Sequence, residues 1–323
     1  MALEKTVSQQ TSDLPPDARN VPQWLHDALD VPREEGWVTS GDCPIHYFRW
    51  GDPSKPGIIM MHGFLAHARC FAFIAPILAE GYHIVAYDFS GMGDSGARDT
   101  YPEEVRVSEL IDVAHDTGMF NHAIKPTLIA HSYGGNIGLA AMETHQELFS
   151  GLIICDLMTF RPARMLAHFS GKEDKRPGSQ DPDRKNRIYP DYVTAKGRFV
   201  LSPAQETNEP SLFDYMAYHS LKQVDTGWTW KFDPSVFRRD KKMEERWGKQ
   251  GDRIVAAPGR KVIVYGQQSE LFDDDSAAYV RECGGGDIPM IGIPNARHHL
   301  MLDQPIAFAC VLDTILALWH QAD

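Results

Sequence analysis

The apolar residues of the chain fall into short continuous runs, each separated from the next by a longer stretch of mixed polarity. Runs this short and this apolar are typical of strands buried on both faces of a parallel sheet. A more alternating strand is predicted before them, at Ile45–Trp50. The predicted buried strands are Ile58–Met61, Ile84–Tyr87, Leu128–Ala130, Leu152–Cys155, Val262–Tyr265 and Pro289–Ile293.

Most intervals between these strands have the spacing of amphipathic helices. Val107, Leu110, Ile111 and Ala114 share one helical face, and Pro305 fits the first turn of a last helix near the end of the chain. Alternating strands and helices predict an α/β fold in which a doubly wound, mostly parallel sheet carries helices on both faces.

The interval from Leu157 to about Arg246 interrupts this alternation. Its first part, Gly171–Arg187, is rich in charge, proline and glycine and predicts a mobile loop. A later part is rich in aromatic residues, among which Trp228 and Trp230 are candidates for substrate contacts. Insertions at the carboxyl edge of such a sheet usually border the ligand crevice. This favours a mainly helical cap over a second small domain without a role at the site.

These patterns divide the chain into three parts. A length of 323 residues is enough for one large α/β domain with an insertion, or for two domains. We expect a polar amino-terminal tail over residues 1–30, a core formed by residues 31–156 and 246–323, and a cap insertion over residues 157–245.

The segment Thr127–Gly135 carries the candidate nucleophile. A short apolar strand ends there, the chain turns at Ser132, and small residues lead into a helix-forming run. A serine on such a strand-to-helix turn is held in a cramped backbone conformation with its hydroxyl exposed at the sheet edge. Side chains beside it would collide across the turn, so the small residues Ala130 and Gly134 fit the pattern.

Serine is a weak nucleophile at neutral pH, and it needs a base, an acid that orients the base, and donors for the oxyanion. The adjacent His298 and His299 follow the last strand, and one of them is the expected base because histidine titrates near neutrality. Glu270 is the carboxylate nearest the end of the preceding strand, and we assign it to orient the base. Asp156, at the end of another strand, is its rival.

The donors for the oxyanion are expected from two main-chain amides. The strand Ile58–Met61 is followed by His62, Gly63 and Phe64, and the amide of Phe64 could point at the oxyanion. Tyr133, the residue after the candidate nucleophile, supplies the second amide. Gly63 permits close approach to the backbone, so His62 and Gly63 are further candidates for substrate contacts.

Composition and charge narrow the possible partners. The formal net charge is −12, from 44 acidic and 32 basic residues, and without a basic face this argues against nucleic acid. Five scattered cysteines without metal-ligand spacing predict free thiols, a reducing and therefore cytoplasmic location, and no metal. The chain shows neither a signal pattern nor an apolar run of membrane-spanning length, so no membrane partner is expected.

Four segments together resemble the α/β-hydrolase superfamily, and its cap-bearing, esterase-like serine hydrolases in particular. His62–Phe64 is similar to the oxyanion segment, and Ala130–Gly134 is similar to the nucleophile elbow, with alanine for the first glycine. Asp88–Ser95 follows the family's Asp-x-x-Gly-x-Gly-x-Ser signature, and Gly266–Glu270 resembles a variant of the acid segment. The resemblance covers about residues 36–156 and 246–323 and implies an α/β-hydrolase fold.

The resemblance also bears on single residues. Counting back from Pro305 to the family's base selects His298 over His299. Ser269 departs from the family pattern, because many relatives carry an aspartate at that offset from the glycine. The Asp88 segment is mostly a structural turn in relatives, so Asp88 is left out of the catalytic candidates.

The function that these residues favour is cleavage of a carboxylic ester through an acyl-enzyme, with Ser132, His298 and Glu270 as the triad. The expected partner is a small-molecule ester with an apolar or aromatic portion, and no cofactor is expected. A lactonase or a hydrolase of carbon–carbon bonds would use the same triad. Cofactor-free peroxidase and a non-catalytic ligand receptor on this scaffold are the remaining alternatives.

Overall fold

The computed structural model describes residues 13–169, 185–238 and 245–321. Its centre is an eight-stranded sheet with the strand order β1-β2-β4-β3-β5-β6-β9-β10, in which β1 and β2 are antiparallel to their neighbours and the other pairs are parallel. The strands are β1 (Glu34–Ser40), β2 (Cys43–Trp50), β3 (Gly57–Met61), β4 (His83–Tyr87), β5 (Thr127–His131), β6 (Gly151–Cys155), β9 (Arg260–Gly266) and β10 (Met290–Ile293).

The doubly wound α/β fold predicted from the apolar runs is confirmed. Every residue of β3, β4, β5 and β6 is buried, as expected for strands covered on both faces. Alternate residues of β3 enter different cores: Ile58 and Met60 belong to one, and Ile59 and Met61 belong to the other. The antiparallel strand β1 was not among the predicted strands.

Helices cover both faces of the sheet. The helices are α1 (Gln23–Leu29), α2 (Ala75–Leu78), α3 (Glu103–Asp116), α4 (Tyr133–His145), α5 (Pro162–Phe169), α6 (Tyr192–Lys196), α7 (Pro210–His219), α8 (Gln250–Ala256), α9 (Asp274–Glu282), α10 (Leu300–Asp303) and α11 (Pro305–His320). The first core is closed by α1, α2, α7, α10 and α11, and the second by α3, α4, α8 and α9. The last helix begins at Pro305, as predicted.

Residues 157–245, which we call the inserted segment, lie between β6 and β9. Their described part contains α5, α6 and α7 and an antiparallel hairpin of β7 (Leu221–Val224) and β8 (Gly227–Trp230). The loop predicted over Gly171–Arg187 falls mostly outside the described residues.

The amino-terminal segment packs on the core from Asp13 onward. Leu25 and Leu29 of α1 are buried in the first core, and Asp13 receives hydrogen bonds from Arg33, Arg69 and Tyr215. In the described ranges no helix is both long and apolar enough to cross a membrane.

Candidate active site

Ser132 occupies the turn between β5 and α4. Its backbone dihedrals, φ 53° and ψ −119°, lie in a region that a non-glycine residue rarely adopts, so the turn is strained. The Ser132 amide donates to the carbonyl of Cys155 at 2.8 Å, which ties the turn to β6. A Cβ on Gly134 would stand 2.7 Å from the carbonyl oxygen of Met61, so only glycine fits there.

The imidazole of His298 stands beside this serine. Its Nε2 lies 2.9 Å from Ser132 Oγ, and its Nδ1 lies 2.8 Å from Oδ1 of Asp156. Only 2% of His298 and none of Asp156 is exposed, so the contact between them is shielded from water, whereas Ser132 is partly exposed at the cavity. A base within hydrogen-bond distance of the hydroxyl, itself oriented by a carboxylate, is the arrangement that activates a serine.

The carboxylate at His298 is that of Asp156, and this corrects the sequence-based assignment of Glu270. Asp156 follows β6 with φ 49°, accepts the amide of Gly266 at 2.8 Å through Oδ2, and accepts the hydroxyl of Ser269 at 2.6 Å through Oδ1. Glu270 is exposed. The physical reason is that the turn after β9 buries Ser269 and leaves Glu270 exposed, so this turn supplies a hydrogen-bond donor to Asp156 rather than the acid itself.

Two more histidines surround the base. His131 donates through Nε2 to the carbonyl of His298 at 2.9 Å, and His299 Nε2 lies 3.4 Å from the carbonyl of Pro203. Burial, with the nearby His298, lowers the pKa of His131 to about 3 and holds the pKa of His299 well below its usual value. Both rings are therefore neutral at physiological pH and add no positive charge beside His298.

The two candidate oxyanion residues lie at the same wall as Ser132. Tyr133 is the first residue of α4, so its amide has no acceptor within the helix and sits at the positive end of the helix dipole. The rings of Phe64 and Tyr133 lie 5.8 Å apart, edge to face. Gly63 lets the backbone before Phe64 pass close to Ser132, because a Cβ on Gly63 would stand 3.2 Å from Cβ of Ser132.

His62, predicted as a substrate contact, is fully buried and used within the protein. Its Nδ1 donates to the carbonyl of Gly63 at 2.7 Å, and its Nε2 accepts the amide of Phe89 at 3.1 Å. Burial lowers the pKa of His62 to about 4, which keeps Nε2 unprotonated as an acceptor. With both ring nitrogens engaged, His62 holds the Gly63 turn and the start of the Asp88 segment together.

A cavity of about 320 Å³ opens at Ser132. This volume lies at the lower end of the range for small-molecule sites. Apolar side chains from the core and from the inserted segment line it, including Phe64, Leu157, Phe169, Phe237 and Trp247. Trp228 and Trp230, predicted as substrate contacts, are not among the described lining residues; they pack with Tyr189 and Leu221 around the hairpin.

Among the residues that the structure describes, one group in the site could hold a metal ion. Ligand atoms of His131, His298 and His299 lie within 4.8 Å of one another. Both ring nitrogens of His298 already contact Ser132 and Asp156, so a metal ion there would compete with the serine contact.

Similarity to known proteins extends over most of the chain. Residues 58–309 match the Alpha/beta hydrolase family. A serine hydrolase-like protein of Danio rerio is 24% identical over 202 residues, 59% of this chain and 57% of its own length. An uncharacterised hydrolase of Bacillus subtilis is 28% identical over 113 residues, 34% of this chain and 40% of its own length. The chain thus spans less than two thirds of these relatives.

Solved structures share the fold at low identity. The thioesterase domain from the curacin biosynthetic pathway has a TM-score of 0.70 at 19% identity, over 88% of this chain and 99% of its own. An esterase from Mycobacterium tuberculosis has a TM-score of 0.66 at 18% identity, over 93% and 100%. Because the family match covers residues 58–309, the protein belongs to the alpha/beta hydrolase family.

Proposed function

We propose that the protein is a serine hydrolase that cleaves a carboxylic ester through an acyl-enzyme intermediate. The observation that carries this proposal is the chain of contacts from Ser132 Oγ at the wall of a cavity, through His298, to the buried Asp156. The relatives whose names include hydrolase or esterase add support at the level of the family.

The reaction follows from the roles of these groups. His298 Nε2 takes the proton of Ser132 as Oγ attacks the ester carbonyl, and Asp156 stabilises the imidazolium that forms. The amides of Phe64 and Tyr133 stabilise the negative charge on the carbonyl oxygen. His298 then protonates the leaving alcohol, and in the second half-reaction it activates the water that releases the acid from Ser132.

We propose further that residues 157–245 act as a cap over this site. Leu157, Phe169 and Phe237 of this segment line the cavity together with the core residue Phe64. A wall shared between core and insertion encloses a small molecule, and its apolar side chains favour an apolar substrate portion beside the ester. The aromatic pair Trp228 and Trp230 belongs to the fold of the cap rather than to its inner surface.

Steady-state hydrolysis of short p-nitrophenyl esters tests the proposal. We expect many turnovers per protein molecule with the wild type, and a loss of about 10³-fold or more in kcat with Ser132→Ala. Absence of turnover by the folded wild type would contradict it and would favour a non-catalytic receptor. Equal rates for both proteins would remove Ser132 from the mechanism.

A further inference from the structure

A buried arginine lies in the wall of the same cavity. Arg106, on α3, is only 1% exposed, yet it lines the cavity that contains Ser132 and Tyr133. Its Nη1 donates to the carbonyl of Ser90 at 2.6 Å and to the Ser90 hydroxyl at 3.1 Å. A buried guanidinium is costly unless its charge is paired.

The acids near Arg106 are already engaged by other groups. Glu109 is fully buried, and its Oε1 accepts Arg98 Nε at 2.9 Å, whereas its Oε2 is 3.4 Å from Arg106. Glu109 also accepts the amide and hydroxyl of Ser90. The other buried acid of α3, Glu103, binds Arg253 at 2.9 Å. Two guanidinium groups therefore share one buried carboxylate at Glu109.

Asp42 does not restore this balance. It contacts Arg98 at 3.0 Å, but its side chain is 96% exposed, and an ion pair with so exposed a partner is weak. Among the described residues, the cluster of Arg98, Arg106 and Glu109 thus has one excess positive charge in its buried part.

Two buried polar atoms at the cavity wall are without partners in the described part of the chain. They are Nε of Arg106 and Oδ1 of Asn136, which is 5% exposed and also lines the cavity. Aromatic faces surround the guanidinium, with its central carbon 4.8 Å from the Tyr101 ring centroid and 5.1 Å from that of Phe89. These rings stabilise the charge without neutralising it.

We propose that the substrate of this site carries a carboxylate, which binds beside Arg106 while the ester carbonyl lies at Ser132. This inference rests on the proposed ester hydrolysis and narrows its substrate class to esters of carboxylate-bearing acids, such as half-esters of short dicarboxylic acids. Arg106 and Ser132 line the same cavity of about 320 Å³, which limits the length of such a substrate, and the Arg106 guanidinium carbon lies 6.0 Å from the ring centroid of Tyr133. A carboxylate there would balance the excess charge and receive charge-assisted hydrogen bonds.

The test compares two esters that differ in charge: p-nitrophenyl hydrogen glutarate, which carries a carboxylate, and p-nitrophenyl methyl glutarate, in which that carboxylate is a methyl ester. We expect the wild type to favour the anionic ester in kcat/KM by about 10²-fold, the upper value for a hydrogen bond to a charged group. Arg106→Met should bring this ratio close to unity. Arg98→Met removes the other guanidinium at Glu109, which lies outside the cavity lining, and with it the excess charge. It should therefore lower the ratio, but by less than Arg106→Met does, because the direct contact with Arg106 remains.

Asn136→Asp provides a second variant if Arg106→Met does not fold. It places a negative charge at the same wall with little change in shape and should lower the ratio at least about tenfold, whereas Asn136→Leu should lower it less. Equal kcat/KM for the two esters in the wild type, or a preference that survives both Arg106→Met and Asn136→Asp, would overturn the inference.

A binding measurement separates this inference from the proposed function. Glutarate should raise the Tm of the Ser132→Ala protein, and dimethyl glutarate should not. This shift reports binding alone and does not depend on whether the wild type hydrolyses esters. Ester turnover without a glutarate shift would refute the carboxylate site alone. A glutarate shift without turnover of either ester by the wild type would refute the ester hydrolase alone.

Discussion

At the scale of single residues, the position of the acid decides how the site is built. Asp156 follows β6, the strand between β5 and β9 in the sheet, so its carboxylate meets His298 from the strand beside the nucleophile. Its two oxygens accept Ser269 and Gly266 as well, which fixes the carboxylate in one orientation. Such fixed orientation holds the imidazole in the tautomer that can accept the serine proton.

We predict that Asp156→Asn lowers kcat for p-nitrophenyl esters by about 10³–10⁴-fold, because the amide would favour the wrong tautomer of His298. Glu270→Gln is the matched control, since Glu270 is exposed, and it should change kcat less than about threefold. Steady-state kinetics on both variants measures this directly. A larger loss in Glu270→Gln than in Asp156→Asn would reverse the assignment.

Ser269 should act as a positioning residue. Ser269→Ala removes the hydroxyl that donates to Asp156 at 2.6 Å, and we expect kcat to fall by about tenfold, the value of one charge-assisted hydrogen bond. Ser269→Thr keeps the hydroxyl and should recover most of the loss. If alanine and threonine variants have the same kcat, the hydroxyl has no part in holding the acid.

At the scale of elements, the turn from β5 into α4 depends on one close contact. A Cβ at position 134 would stand 2.7 Å from the Met61 carbonyl and 2.9 Å from that of His62, and backbone atoms cannot move aside easily. We therefore expect Gly134→Ala to lower the free energy of unfolding by about 1–3 kcal/mol and to reduce kcat. Denaturant unfolding monitored by circular dichroism measures the stability.

Gly286→Ala is the control for this substitution, because a Cβ there would have no atom within 4 Å. It should leave stability and kcat within a small margin of the wild type. A Gly134→Ala protein as stable as Gly286→Ala would show that the elbow tolerates a side chain that the geometry excludes.

A buried, hydrogen-bonded histidine joins β1 and β2 to the turn after β4. His46 on β2 lies between Asp88, 2.7 Å from Nδ1, and Glu35 on β1, 2.8 Å from Nε2. Burial opposes the charged imidazolium, but the hydrogen bonds to Asp88 and Glu35 outweigh it and raise the pKa of His46 from 6.5 to about 9. The buried imidazolium thereby fixes Asp88 at the start of the Asp88 segment.

Stability should therefore fall at alkaline pH. The folded protein binds this proton more tightly than the unfolded chain, so the contribution of His46 is complete below pH 6.5 and disappears as pH rises through about 9. Its size is about 3 kcal/mol. Urea unfolding of wild type and His46→Gln from pH 6 to 10 measures it, and the difference between them should shrink across this window. A constant difference would refute the account.

At the scale of the whole molecule, the sequence predicts the sheet well because its central strands are buried on both faces. Such strands appear as continuous apolar runs, and those runs identify β3 to β6 directly. Strand β1 lacks this signal, since only Gly36 and Ser40 among its residues are buried. Ser132 and His298 are predicted in the same way, because each of them follows one of the predicted buried strands.

Long-range packing explains what the sequence does not predict. Asp156 and Glu270 both follow strands that end at the same edge of the sheet, and only the course of each turn decides which carboxylate reaches His298. The left-handed backbone of Asp156 helps to set the course of its turn, and no obvious local sequence motif marks this conformation. Likewise, the inward or outward direction of Trp228 and Trp230 depends on the packing of the hairpin rather than on aromatic content.

The central claim is that Ser132 is an activated nucleophile, and covalent labelling tests it most directly. The folded protein is treated with a fluorophosphonate probe, and the modified residue is found by peptide mass spectrometry. We predict a stoichiometric label on Ser132 in the wild type and at least about 10³-fold slower labelling in His298→Ala, because the base is lost. An unlabelled Ser132, or labelling that is equally fast without His298, would contradict the account.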